Sequence, residues 1–81
     1  MVCEFLPPKY KRKLLEIAAI DDLTNDKVGF KKSGAYKAKE RGVISDERCE
    51  KLITVLGEKA RPVLLDALRE FASQLNCQIN C

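Results

Sequence analysis

Asp22-Leu23-Thr24-Asn25-Asp26-Lys27-Val28-Gly29-Phe30-Lys31-Lys32-Ser33-Gly34-Ala35-Tyr36-Lys37-Ala38-Lys39-Glu40-Arg41-Gly42 is the stretch on which the reading of this chain turns. At its centre, Val28-Gly29-Phe30 sets a glycine between two apolar residues. Two lysines and a serine follow, then a segment carrying lysine and tyrosine. That order reads as helix, tight turn, helix. Gly29 permits a positive φ at little cost, as a helix C-terminus often requires. Thr24 or Asn25 is expected to cap a short helix over 25–28, with Asp26 in its first turn complementing the dipole. Ser33 is expected to cap the next helix, which runs to Glu40 or Arg41 and ends at Gly42.

Upstream, Pro7-Pro8 suits the start of a first helix, because proline there loses no needed hydrogen bond. From there to about Ile20, the residues Tyr10, Leu14, Ile17 and Ala18 recur at helical spacing and predict an inward stripe. Downstream, Ser45 caps a fourth helix over 46–56, with Asp46 and Glu47 in its first turn. Its stripe is Cys49, Leu52, Ile53 and Leu56, and Gly57 terminates it. Pro62 opens a fifth helix over 62–76, with Leu64, Ala67, Leu68, Phe71 and Leu75 on one side. No alternating β-branched run suggests a strand. The fold expected is all-α: one compact five-helix domain over residues 1–81, with a helix-turn-helix at about 22–41.

Bulk properties bound the function. The chain has 81 residues, enough for a single small core, and 46% are apolar and 33% charged, as in a globular protein rather than a disordered one. No apolar run approaches the roughly 18 residues that span a bilayer. The segment Met1 to Pro8 lacks the basic start and apolar core of a signal peptide, so a cytoplasmic location is expected. Positive charge is uneven, with ten Lys/Arg against six Asp/Glu in residues 1–41 and five against six in residues 42–81. That split favours a polyanionic partner on the N-terminal half, although scattered solvated lysines give the same count.

Chemistry of other kinds finds little to work with. There is no histidine, no glycine-rich phosphate loop and no Cys-x-x-Cys pair. Neither enzymatic activity nor a metal, cofactor or small-molecule substrate is expected. Cys49 lies on the apolar stripe of the fourth helix and reads as a small buried hydrophobe. Cys77 and Cys81, four apart, would share a helix face if the last helix continued that far, in poor geometry for bonding each other. A disulfide from Cys3 to one of these tail cysteines is a candidate staple, of a kind that intracellular proteins of hyperthermophiles tolerate. The four cysteines allow three complete pairings.

The helix-turn-helix reading rests on residue types at fixed places. Val28 packs the end of one helix, Gly29 turns the chain, and Phe30 plugs the angle between helices. Ala35 and Ala38 give the second helix a small inner face. With these residues the sequence resembles the helix-turn-helix segment of λ-repressor/Cro-like DNA-binding domains, over about Leu14 to Leu56. It is also similar to helix-turn-helix regions of archaeal integrase-like (tyrosine recombinase) proteins. The resemblance implies a recognition helix whose DNA-facing residues match Lys31, Lys32, Ser33, Tyr36 and Lys37, with Glu40 near the end. Where the family usually has a small residue, this chain has Asn25, which implies either a helix beginning there or an offset alignment.

The residues carry the same roles on physical grounds. Lys31 and Lys32 stand where ammonium groups meet phosphates, and the N–H groups after Ser33 favour an anion. Tyr36 and Lys37 lie one turn further on, within reach of base edges or backbone. Gly34 is expected to leave that side of the helix bare for close approach. Lys9 and Arg12, in the cluster that opens the first helix, read as a second phosphate contact or as an ordinary solvated helix start. The expected partner is double-stranded DNA. The alternative is a helical protein–protein interaction domain with solubilising lysines, and RNA is disfavoured because no aromatic platform is visible. The fifth helix is apolar over more than a narrow stripe. It is either the wrapped central helix of the domain or, through residues such as Leu65, the seat of a homodimer.

Overall fold

Leu14 and Leu15 are adjacent in sequence and both fully buried, so the helix that carries them must have neighbours on two sides. That helix, α1 (Pro8–Ile17), is the centre of the domain. The computed structural model describes the backbone of residues 2–80 and the side chains of residues 3–75. Along the described residues a 3-10 turn at Val2–Glu4 precedes α1. Then come α2 (Ile20–Leu23), α3 (Lys32–Arg41), α4 (Asp46–Leu56), a second 3-10 turn at Gly57–Ala60, and α5 (Arg61–Asn80). No strand is present among the described residues. The all-α class is therefore as read from the sequence. In place of five helices of comparable length, however, there are four of ten residues or more and a single turn, α2.

The helix ends explain most boundaries. Pro8 occupies the first turn of α1. The Ser45 hydroxyl accepts the Arg48 N–H at 3.3 Å, the expected N-cap of α4. Gly42 (φ +68°) closes α3 in the left-handed region, its N–H donating to the Ala38 carbonyl at 2.8 Å. Gly57 (φ +57°) closes α4.

The expected helix over 25–28 does not form, because α2 comes earlier and its N-terminus is held by Asp22, whose carboxylate accepts the Ala19 N–H at 2.9 Å. Asn25 instead folds the chain into a turn. Its side-chain oxygen accepts the Lys27 N–H at 3.0 Å, and its carbonyl accepts Val28 at 3.0 Å and Gly29 at 2.9 Å. Gly29 (φ +86°) ends that turn, and Phe30 donates its N–H to the Leu23 carbonyl at 3.2 Å. The connection from α2 to α3 thus occupies residues 24–31, longer than the three or four residues of a tight helix-turn-helix.

Helix α1 packs against α3 on one side and α5 on another, while α2 packs on α3 and α4. Tyr10, Leu14 and Ala18 are buried as expected, but Ile17 is exposed. The burial of Leu15 rotates the inward face of α1 away from it. Cys49, Leu52 and Leu56 of α4 complete the core with Leu6, Leu23, Val28, Ala35, Ala38, Ile44, Ala60 and Val63. The expectation that α5 is the wrapped helix fails. Its partners are α1 and the second 3-10 turn, and Leu68, Phe71 and Leu75 face outward.

Cys49 is not a lone buried thiol. It is bonded to Cys3, across 46 residues of sequence, and both are fully buried. The pairing of Cys3 with Cys77 or Cys81 is thereby overturned; the side chains of those two lie outside the described residues. The bridge sits where the N-terminal 3-10 turn packs on α4, beside a hydrogen bond from the Cys3 N–H to Glu50 Oε1 at 2.7 Å. Sequence could not choose this pair, since the contact depends on how the first turn crosses α4.

A bridge closing a loop of that size is expected to contribute about 4 kcal/mol by restricting the unfolded chain. Reduction, or replacement of Cys3 and Cys49 by serine, should lower the unfolding free energy by about that amount in guanidinium titrations.

Candidate nucleic-acid interface

Helix α3 divides cleanly into two faces. Ala35 and Ala38 are buried against the domain, and the half-buried Lys39 reaches inward beside them. The small side chains let α1 and α2 approach the α3 backbone closely. On the other face Lys32, Tyr36 and Glu40 form one i, i+4 row, and Ser33 and Lys37 form the next. All five are exposed, as is Lys31 at the N-cap position, and Tyr36 shows 55% of its surface. The six residues expected on this helix are therefore brought together. Among the described residues, none of their side chains enters an ion pair or hydrogen bond.

The start of α3 differs from expectation in a way that matters for its chemistry. Lys31, not Ser33, is at the N-cap, and no side chain caps the helix. Ser33 lies within the first turn, where its hydroxyl is exposed. The first hydrogen bond back to the cap joins the Ala35 N–H to the Lys31 carbonyl at 2.8 Å. The N–H groups of 32–34 therefore precede it without a side-chain acceptor, at the positive end of the helix and between two ammonium groups. Gly34 is not on the bare outer face. A Cβ there would lie in ordinary contact, 3.5 Å from Phe30 Cδ1, so the glycine packs beside the ring. The opposite side of the ring environment is set by the Arg48 guanidinium, 4.4 Å from the ring centroid.

Lys9 and Arg12 do not join this surface. The Arg12 guanidinium donates to the Arg41 carbonyl at 3.1 Å, supplying the end of α3 with a cationic cap. Gly42 makes room for it: a Cβ at that position would fall 2.3 Å from Arg12 Nε. In return Lys39 donates from α3 to the Ala18 carbonyl at the end of α1. Each helix thus caps the other's C-terminus. Lys11 pairs with Asp46 at the start of α4, 2.5 Å away.

Lys9, one turn before Arg12, reaches α5 instead. It bonds Glu70 of α5 at 2.7 Å, and the Tyr10 hydroxyl donates to the other oxygen of the same carboxylate. The hydrogen bond from Lys9, with that from Tyr10, holds the Glu70 carboxyl below its ordinary range. The same bonds to Glu70 raise Lys9 and Tyr10 above theirs. Sequence reasoning gave Lys9 and Arg12 a phosphate role because their acceptors, Glu70 and the Arg41 carbonyl, are remote in the chain. The roles of Lys39 and Glu70 left no local signal at all.

Because Glu70 is lowered on folding, its contribution is present above the ordinary glutamate value of about 4.3 and is lost as pH falls through its folded value. Thermal melts of the wild type should therefore drop more steeply below about pH 4 than those of Glu70→Gln, with the two differing most at neutral pH. No family model, curated protein or solved structure matches this chain.

Proposed function

We propose that this chain binds double-stranded DNA through the outer face of α3, as a small transcriptional regulator or as the DNA-binding module of a recombinase-like protein. In this reading α2, the 24–31 connection and α3 act as a helix-turn-helix with an extended turn. The observation that carries it is the sorting of cations. Lys9, Lys11, Arg12 and Lys39 are used within the domain, whereas Lys31, Lys32 and Lys37 are left together on one helix with Ser33 and Tyr36. A solvated helix needs no such grouping, and a phosphate backbone gains from it by counterion release.

Each residue then has a defined task. Lys31, Lys32 and the uncapped N–H groups of 32–34 take phosphate oxygens, fixing the helix in the groove. Tyr36 and Lys37, one turn on, reach base edges. A lysine donates to guanine acceptors, though without the bidentate geometry of arginine. Glu40 closes the row; its carboxylate repels phosphate and can accept from a cytosine amino group. The width of α3 suits a major groove. A protein-interaction role without DNA draws support from a different surface, the exposed apolar side of α5.

Mobility shifts on random duplex DNA, at two salt concentrations, separate these readings. Lys32→Ala and Lys37→Ala are each expected to weaken duplex binding several-fold and to reduce the salt slope by about one. Binding that is unchanged by both substitutions, or insensitive to salt, would remove α3 as the interface.

A further inference from the structure

Helix α5 runs about 30 Å over its 20 residues, more than either short dimension of the molecule, 23 and 19 Å. Its first half turns Val63, Ala67 and Glu70 toward the domain. Beyond Glu70 every described side chain, from Phe71 to Leu75, is exposed. Half a helix without tertiary contacts is marginal in water. This half is also apolar where it should be polar.

The exposed apolar residues are ordered. Leu65, Leu68, Phe71, Ala72 and Leu75 fall within an arc of about 120°, beside the face that meets α1, and the half-buried Leu64, which also packs on the core, lies inside the same arc. Between residues 64 and 75 no charged residue falls in that arc, although Arg61, at the start of α5, does. Leu68 is 62% exposed, Phe71 61%, and Leu65 and Leu75 somewhat over 40%. Together they make a patch on the order of 400 Å², within the roughly 300–600 Å² of a monomer's largest apolar patch, which is often functional. A shallow, mostly apolar groove lined by Gly57, Leu64, Leu65 and Leu68, together with Glu58 and Arg61, adjoins its N-terminal end.

We infer that this face takes a second copy of the chain, with the two α5 helices antiparallel about a two-fold axis. The spacing selects that occupant. Leu64, Leu68, Phe71 and Leu75 are separated by four, three and four residues, a series that reads the same in both directions. Laid antiparallel, Leu68 meets Phe71 of the partner copy, and Leu64 meets the partner's Leu75 at the groove. Every layer is apolar on both sides, the self-complementarity that an isologous contact requires. Two such patches bury ~800 Å² of apolar surface, so the rest of the roughly 1,200 Å² that a stable pair needs must come from the polar rim.

Docking here leaves the outer face of α3 open, since α3 and α5 pack principally on different sides of α1. The inference stands independently of the DNA reading.

Sedimentation of the full chain from low to high micromolar concentration tests it, with Cys77→Ser and Cys81→Ser so that tail thiols form no cross-link. The chain is expected to be a dimer. Leu68→Glu should raise the dissociation constant by about 30-fold or more, as for a central anchor residue. Leu68 and Phe71 are both exposed in the protomer, so circular dichroism should show the helix content kept on substitution at either position. Adding Phe71→Lys to Leu68→Glu should restore the dimer, because residue 68 of one copy then faces an opposite charge at residue 71 of the other. A monomer throughout, or a dimer indifferent to Leu68→Glu, would overturn the proposal. A dimer that the charge swap fails to restore would overturn the antiparallel register.

Discussion

The exchange of cations between α1 and α3 fixes how the helix of the candidate interface is set in the domain. Arg12 of α1 donates to the last turn of α3, and Lys39 of α3 donates to the last turn of α1. A helix C-terminus exposes carbonyl groups that need donors, and a cationic donor also answers the dipole. Two helices that satisfy each other in this way have little freedom to slide or rotate. Ala35 and Ala38 then permit close contact along the same seam. The orientation of α3 follows, and with it the row of residues that faces solvent. Gly42 belongs to this arrangement twice, ending α3 and giving the Arg12 guanidinium its space.

The same constraint sorts the charge. A chain with 15 Lys/Arg must place most of them at its surface, where isolated pairs contribute little. Here several cations find acceptors that are distant in sequence: Lys9 on Glu70, Lys11 on Asp46, Arg12 and Lys39 on carbonyl groups. What is left on α3 is therefore a residue of that sorting, and its grouping beside uncapped N–H donors gives the helix start a concentrated positive field. An expected N-cap at Ser33 would have weakened that field by supplying an acceptor. Its absence strengthens the case for an anionic ligand at this end of the helix.

Local chemistry was legible in the sequence, and long-range chemistry was not. Ser45, Gly42 and Gly57 mark helix ends because capping and positive φ are decided within a few residues. The stripe of α4 is readable for the same reason. Asn25 was harder, since the same side chain can start a helix or close a turn. The choice went to the turn because α2 had already formed from Ile20, with Asp22 holding its first turn. The outer row of α3 follows from its inner alanines. In contrast, the roles of Lys9, Arg12 and the Cys3–Cys49 pair depend on acceptors and partners between 29 and 61 residues away, which no local pattern records.

The error about α5 is the most instructive of these. A broad apolar stripe on a helix implies burial, and the sequence left open whether the domain itself or a second copy would cover it. The structure gives the central place to α1, whose adjacent Leu14 and Leu15 are enclosed from two sides. Once α1 holds the centre, α5 offers the domain the face with Val63, Leu64, Ala67 and Glu70, and Leu68, Phe71 and Leu75 stay exposed. Glu70 sharpens the point, because its bonds to Lys9 and Tyr10 lock the rotation of α5 at the place where the helix leaves the domain. The exposed stripe is thus not free to roll inward. Its hydrophobicity was read correctly; the protomer itself leaves it as exposed surface.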